Sequence, residues 1–235
     1  MLILALETTT VVSGVAVATE DRLLAEVTAA RLTHSETLQS HVALALDMAG
    51  AAKSEVEAVA VSQGPGSFTG LRIGLSAAKG MAYAWGVPLV GVPTLAALAA
   101  QFPVPKVRVA ALMDAQKGNA YMALYEWQEE EWREVSPVTV CPLDEVLARC
   151  AAIDGPVILA GDAAQKKLAD RRDLPANTRL APPDMIMPRA AAVARLGLLE
   201  LAAGRTGSVM DMAPVYVRRS EAEVLWEARQ KKAVP

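Results

Sequence analysis

The chain of 235 residues carries a net charge of −3 and is 53% hydrophobic but only 4% aromatic. A chain of this length, one large domain or two small ones, buries roughly 70–75% of its unfolded surface and needs no disulfide or metal staple. The small negative charge excludes a global basic field for nucleic acid, and no apolar run approaches the roughly 20 residues that cross a bilayer. Cys141 and Cys150 stand nine apart, form no CxxC pair, and read as reduced thiols of a cytoplasmic protein.

In chain order, residues 2–6 are a continuous apolar run that meets Glu7 at once, which makes it a first strand and not a secretion signal. Glu7-Thr8-Thr9-Thr10 turns the chain, and residues 12–18 and 23–29 follow as two strands joined in a hairpin at Glu20-Asp21-Arg22. Residues 35–48 keep helical spacing through Leu38, Val42 and Leu46, with Ser35 as N-cap. The apolar run 56–61 is a buried strand, and Gly64-Pro65-Gly66 is a tight turn, because proline fixes one φ while glycine permits positive ones. From Phe68 to Trp85 nothing interrupts a helix, and Gly86 with Pro88 stops it. A strand at 88–92 and a helix at 94–101 complete an order β-β-β-α-β-α-β-α.

Phe102-Pro103-Val104-Pro105 breaks the chain, and a similar order begins again. Strands are expected at 107–113, 120–127, 132–140 and 157–160, and helices at 143–152 and 162–169. A proline-rich crossing at 181–188 leads to a helix at 189–203. Ser220 and Glu223 form a capping box for a last helix reaching about Lys232. The domains are therefore 1–104, 105–210, and a C-terminal segment 211–235. This duplicated topology has no detectable sequence repeat.

The helix 68–85 has only Arg72 and Lys79 as charges. One row of its surface is Gly66, Gly70, Gly74, Ala78 and Ala82, and a second is Ser76, Gly80 and Ala84. Each interior glycine costs roughly 1 kcal/mol of helix stability relative to alanine, which suits a backbone that must be approached closely. Either the helix is buried against its own sheet, or one face lies on that sheet and another on a second protein; an anion at the helix N-terminus is a further reading. A Walker loop is excluded, since its closing Gly-Lys-[Ser/Thr] is absent.

The eleven residues Gly-Pro-Gly-Ser-Phe-Thr-Gly-Leu-Arg-Ile-Gly from Gly64 to Gly74, with Leu-Ala-Leu-Glu-Thr-Thr-Thr near the N-terminus, closely resemble the TsaB (YeaZ) family. The members of that family are bacterial partners of TsaD, which makes threonylcarbamoyladenosine in tRNA. The resemblance implies an α/β protein of two tandem ribonuclease-H-like lobes of the actin/Hsp70/sugar-kinase (ASKHA) fold, which the duplicated element order also suggests. It implies a non-catalytic subunit that binds a TsaD-like threonylcarbamoyltransferase together with a TsaE-like ATPase and meets tRNA only indirectly. The docking surface would lie on the helices 35–48 and 68–85, with His34, Leu38, Val42 and Leu46 on one and Gly70, Arg72, Gly74 and Ala78 on the other. The same face could form a homodimer.

In that fold ATP sits between the lobes on Asp-x-Gly-Thr/Ser turns. Here the first turn, with Glu7, Thr8 and Thr9, lacks its glycine. The second begins at Asp114, and its glycine comes two positions late. The adenosine-side Gly-Gly aligns with Gly161 and Asp162, so one glycine is missing. The expectation is a degenerate nucleotide cleft with no cofactor. The alternative is an ATP-dependent phosphotransferase using Glu7 and Asp114 as a carboxylate pair with magnesium; the plainer reading is that each ends its strand and caps nearby backbone amides. His34 and His41 are seven apart, too far to share a metal, and the His-x-x-x-His pair of the TsaD relatives is absent. A third reading is direct RNA binding by Arg218, Arg219, Arg229, Lys231 and Lys232.

Overall fold

The computed structural model describes residues 1–30, 34–129 and 131–218. The expected capping box and last helix, and the basic residues from Arg219 onward, lie outside the described residues.

The first half contains β1 (Ile3–Glu7), β2 (Ser13–Ala18), β3 (Leu23–Ala29), α1 (His34–Ala49), β4 (Ala58–Gly64), α2 (Phe68–Trp85), β5 (Leu89–Pro93) and α3 (Thr94–Ala99). Its sheet has the order β3-β2-β1-β4-β5. β1 pairs antiparallel with β2 and parallel with β4, and β4 runs parallel to β5. The second half contains β6 (Arg108–Asp114), β7 (Asn119–Gln128), β8 (Glu131–Pro142), α4 (Leu143–Ala151), β9 (Val157–Ala160), α5 (Asp162–Leu168), β10 (Thr178–Leu180) and α6 (Ala190–Ala202). Its sheet order, β10-β9-β6-β7-β8, repeats the first with the same parallel and antiparallel pairings.

Strand β10 was not legible as a strand, because its three residues include the charged Arg179 and form no apolar run. With it, each half has the full order β-β-β-α-β-α-β-α. The α1 boundary also differs: the helix begins at His34, so Ser35 lies inside it and is not the N-cap.

Alternate residues of β1 serve two cores, as period-2 geometry requires. Leu4 and Leu6 face α1 and α2, while Ile3 and Ala5 face α6. Both faces are covered, which explains an apolar run without polar alternation. In the second sheet Ala110 and Leu112 face α4 and α5, and Val109, Ala111 and Met113 face α3. Helix α6 does not stay with the second lobe, where its sequence position puts it. Val193, Ala194 and Leu198 pack on the first sheet, and Gly197 lies so close that a Cβ there would stand 2.7 Å from Ala60 Cβ.

Candidate functional site

The carboxyl ends of β1 and β6 open on a cavity of about 690 Å³ between the lobes. From the first lobe it is lined by Thr9, Thr10 and the start of α2, and from the second by Asp114, Ala115, Gln116, Tyr121, Asp162 and Lys166. Tyr216 and Arg218 of the C-terminal segment complete the wall.

Ser67 caps α2 by accepting from Gly70 N, and Gly86 ends the helix in the left-handed conformation at φ 70°. Gly86 was the expected stop, and the observed span matches the expected one. Ser67 N–H also donates to Thr9 O at 2.7 Å, fastening the glycine turn to the turn after β1. Thr8 Oγ1 donates to Gly70 O at 2.8 Å beneath it.

Glu7 is 1% exposed and does not line the cavity. Its Oε1 accepts from Thr9 N at 2.6 Å and from the Thr9 hydroxyl, and its Oε2 accepts from the Ser62 hydroxyl. Burial pushes this carboxyl up to about 7; the hydrogen bonds from Ser62 and Thr9 lower it but do not offset the desolvation. Asp114 does line the cavity. It accepts from Gln116 N at 2.7 Å and from Lys167 Nζ at 2.5 Å. Burial raises its pKa, but the bonds from Lys167 and the Gln116 amide outweigh that and hold it below the ordinary carboxylate value. Glu7 and Asp114 are thus not a carboxylate pair across the cleft: one is sealed in the floor, and the other is held by an ammonium.

Asp162 Oδ1 accepts from Asp114 N at 3.0 Å, and its Oδ2 pairs with Lys166 at 2.9 Å. Gly161 before it has φ 120°, and a Cβ there would stand 1.8 Å from Leu112 O, so this single glycine is required by the backbone itself. Lys166 and Lys167 carried no motif in the sequence; α5 brings them to the second turn. Lys166 pairs with Asp162 and Lys167 with Asp114.

The expected contact residues on the two helices are corrected by the structure. Leu38, Val42 and Leu46 are only 3%, 3% and 4% exposed and belong to the core between α1, α2 and the first sheet. Gly70, Gly74 and Ala78 also face inward. A Cβ on Gly70 would stand 2.0 Å from Thr8 O, and one on Gly74 would stand 2.1 Å from Thr8 Oγ1. The first small row therefore lets the helix approach its own β1 turn. The second row faces out: Ser76, Gly80 and Ala84 are exposed, and a Cβ on Gly80 would meet nothing within 4 Å. Arg72 is exposed but stands at the cleft mouth, over the ring of Phe68. The side chain of His34 lies outside the described residues.

Between α1 and α2 the outward row borders a shallow groove of about 310 Å³, lined by Gln39, Val42, Ala43, Lys53, Ala77, Gly80, Met81, Ala84 and Trp85. Tyr83 beside it is 75% exposed, and Leu44 and Met48 on α1 are 46% and 60% exposed. Among the described residues no helix is long and apolar enough to cross a membrane, and no group of three or more His, Cys, Asp or Glu side chains is placed to hold a metal.

Two lobes of one topology, joined around a cleft at the strand ends, define a protein of the actin/Hsp70/sugar-kinase (ASKHA) fold. The ethanolamine utilization protein EutJ from Carboxydothermus hydrogenoformans shares the fold at TM-score 0.51 and 13% identity, over 84% of this chain and 90% of that one. YeaZ from Pseudomonas aeruginosa superposes at TM-score 0.79 with 30% identity, over 92% of this chain and 99% of its own. The TsaB protein of Bacillus subtilis, named a tRNA threonylcarbamoyladenosine biosynthesis protein, is 30% identical over 98% of this chain and all of its own length. The family model described as tRNA N6-adenosine threonylcarbamoyltransferase (TsaD) matches residues 24–223. The chain belongs to the TsaB (YeaZ) family.

Proposed function

We propose that this chain is a non-catalytic subunit for threonylcarbamoyladenosine synthesis in tRNA. It would bind a TsaD-like threonylcarbamoyltransferase, in an assembly joined by a TsaE-like ATPase, and support transfer of threonylcarbamoyl to the adenosine next to the anticodon. The observation that carries this reading is the end-to-end match to relatives named for that biosynthesis.

The residues of the cleft do not fit the nucleotide that the fold family implies. The amides of Thr9 and Asp114 are turned onto Glu7 and Asp162. Both cavity carboxylates are paired with lysines. These contacts favour a subunit whose partner supplies the chemistry, and they leave Glu7 and Asp114 unavailable as the carboxylate pair of a phosphotransferase.

The partner face we assign is the outward edge of the α1–α2 groove, around Gln39, Ala43, Gly80 and Ala84, with Tyr83 at its rim. It is apolar, small-residued and open, which suits close helix-to-helix packing, either with a TsaD-like partner or with a second copy. The test is co-purification and calorimetric titration with a TsaD-like protein. Gly80→Arg and Ala84→Arg are expected to weaken the complex at least about tenfold while the thermal midpoint stays within a few degrees. Full affinity in both variants would remove the face. Transfer to tRNA by this chain without any TsaD-like protein would overturn the non-catalytic reading.

A further inference from the structure

The C-terminal segment forms a strap on the first lobe. After α6 the chain returns to β5, where Gly207 N–H donates to Leu89 O at 3.1 Å. Lys79 of α2 reaches out to the carbonyls of Met210 and Met212 at 2.8 and 3.1 Å. Further on, Val215 N–H donates to Gln63 O at 2.8 Å, and Gln63 Nε2 donates back to Ala213 O at 2.8 Å. The fit at this point is close: a Cβ on Gly64 would stand 2.6 Å from Val215 O.

The strap ends at the cleft mouth. Tyr216 stacks on Phe68 with ring centroids 5.2 Å apart, and its hydroxyl accepts from Arg72 Nε at 3.1 Å. The Arg72 guanidinium lies 3.8 Å over the Phe68 ring, so one cation ties the two aromatic residues together. Two residues later Arg218 reaches across the cleft. It donates to Ala115 O at 2.6 Å, on the second-lobe turn that follows Asp114. Ala115 is 3% exposed, so this charge-assisted bond is made largely away from water.

Two lobes joined at one side of a cleft can open about a hinge, and a tie across the mouth opposes that motion. We propose that residues 207–218 are a latch that closes the mouth of the interlobe cleft and fixes the angle between the lobes. The cluster of Phe68, Arg72 and Tyr216 is its seat on the first lobe, and Arg218 is its bolt on the second. The latch stands independently of which partner the α1–α2 groove takes. Because Lys79 and Arg72 of α2 both hold it, a displacement of α2 would be felt at the cleft mouth.

Amide hydrogen exchange on the full chain, resolved by residue, tests this. The Ser67, Asp114 and Gln116 amides bond within the turns on either side of the cleft. In Arg218→Ala these amides are expected to exchange roughly tenfold faster while the amides of β1 and of residues 108–113 in β6 are unchanged, and small-angle scattering should show a larger radius of gyration. Faster exchange confined to Gly207 and Val215, or no change anywhere, would mean that the strap only lies on the surface and would overturn the latch. Should Arg218→Ala fail to fold, Tyr216→Ala removes the seat at a side chain that is 43% exposed and is read by the same amides, with the same outcomes deciding.

Discussion

Glu7 shows how a single residue can sit at a family's catalytic-looking position and do a structural task. Its carboxyl is wholly buried and bonded only to hydroxyls and one amide, with no cation among those partners. Its folded pKa of about 7 lies above the ordinary glutamate value, so the fold holds the neutral form best. The stability this residue contributes is therefore full below the ordinary carboxylate range and is lost as pH rises through about 7. Glu7→Gln keeps the shape and the acceptor and removes the titration. Between about pH 5 and pH 8 the variant should gain on the order of 2–3 kcal/mol relative to the parent, read by urea unfolding at both values. A pH-independent difference would mean the carboxylate stays ionised throughout. Asp114 illustrates the converse: its partner Lys167 lies 53 positions away, so no local pattern in the sequence could reveal the pair.

At the scale of elements, α2 was the most legible part of the chain. Its stop is written in Gly86, and nothing between Phe68 and Trp85 interrupts it. Its orientation was not legible, because both of its small rows satisfy the same spacing argument. The close neighbour of one row is Thr8, more than sixty positions earlier, and only the assembled sheet brings it there. The two rows predict opposite responses to the same substitution. Gly70→Ala and Gly74→Ala should destabilise by about 2 kcal/mol or more, since the added methyl meets the Thr8 backbone or hydroxyl. Gly80→Ala should stabilise by about 0.5–1 kcal/mol through helix propensity alone. Thermal and denaturant unfolding of the three variants would check the assignment of faces; equal effects would refute it. The shortest elements gave the weakest signals: β10 is three residues long and stands just before the proline-rich crossing at 181–188.

For the whole molecule, the duplicated order of elements is visible along the chain, but the lobes are not separable at the break near residue 104. Helix α6 covers the face of the first sheet that carries Ile3, Ala5, Ala16 and Ala60. Helix α3 packs on the second sheet through Leu95, Leu98 and Ala99. Each lobe is therefore finished by contacts that cross the sequence boundary. A fragment of residues 1–104 would leave that sheet face bare, at about 1.5–3 kcal/mol for each large apolar side chain exposed. It should not fold by itself. Fusing residues 189–218 to it should restore a cooperative thermal transition by circular dichroism. A cooperatively folded 1–104 fragment would show that α6 is dispensable.

The sequence alone determined the α/β class, the repeated element order, the limits of α2 and the family, because each rests on local signals: apolar period, cap residues and one contiguous eleven-residue motif. Tertiary structure alone decided which face of α2 is free, what holds Glu7 and Asp114, where α6 packs, and that the C-terminal segment reaches across the cleft. Those answers depend on contacts between residues far apart in the chain, where spacing carries no information about which side of a helix or sheet its neighbour will occupy.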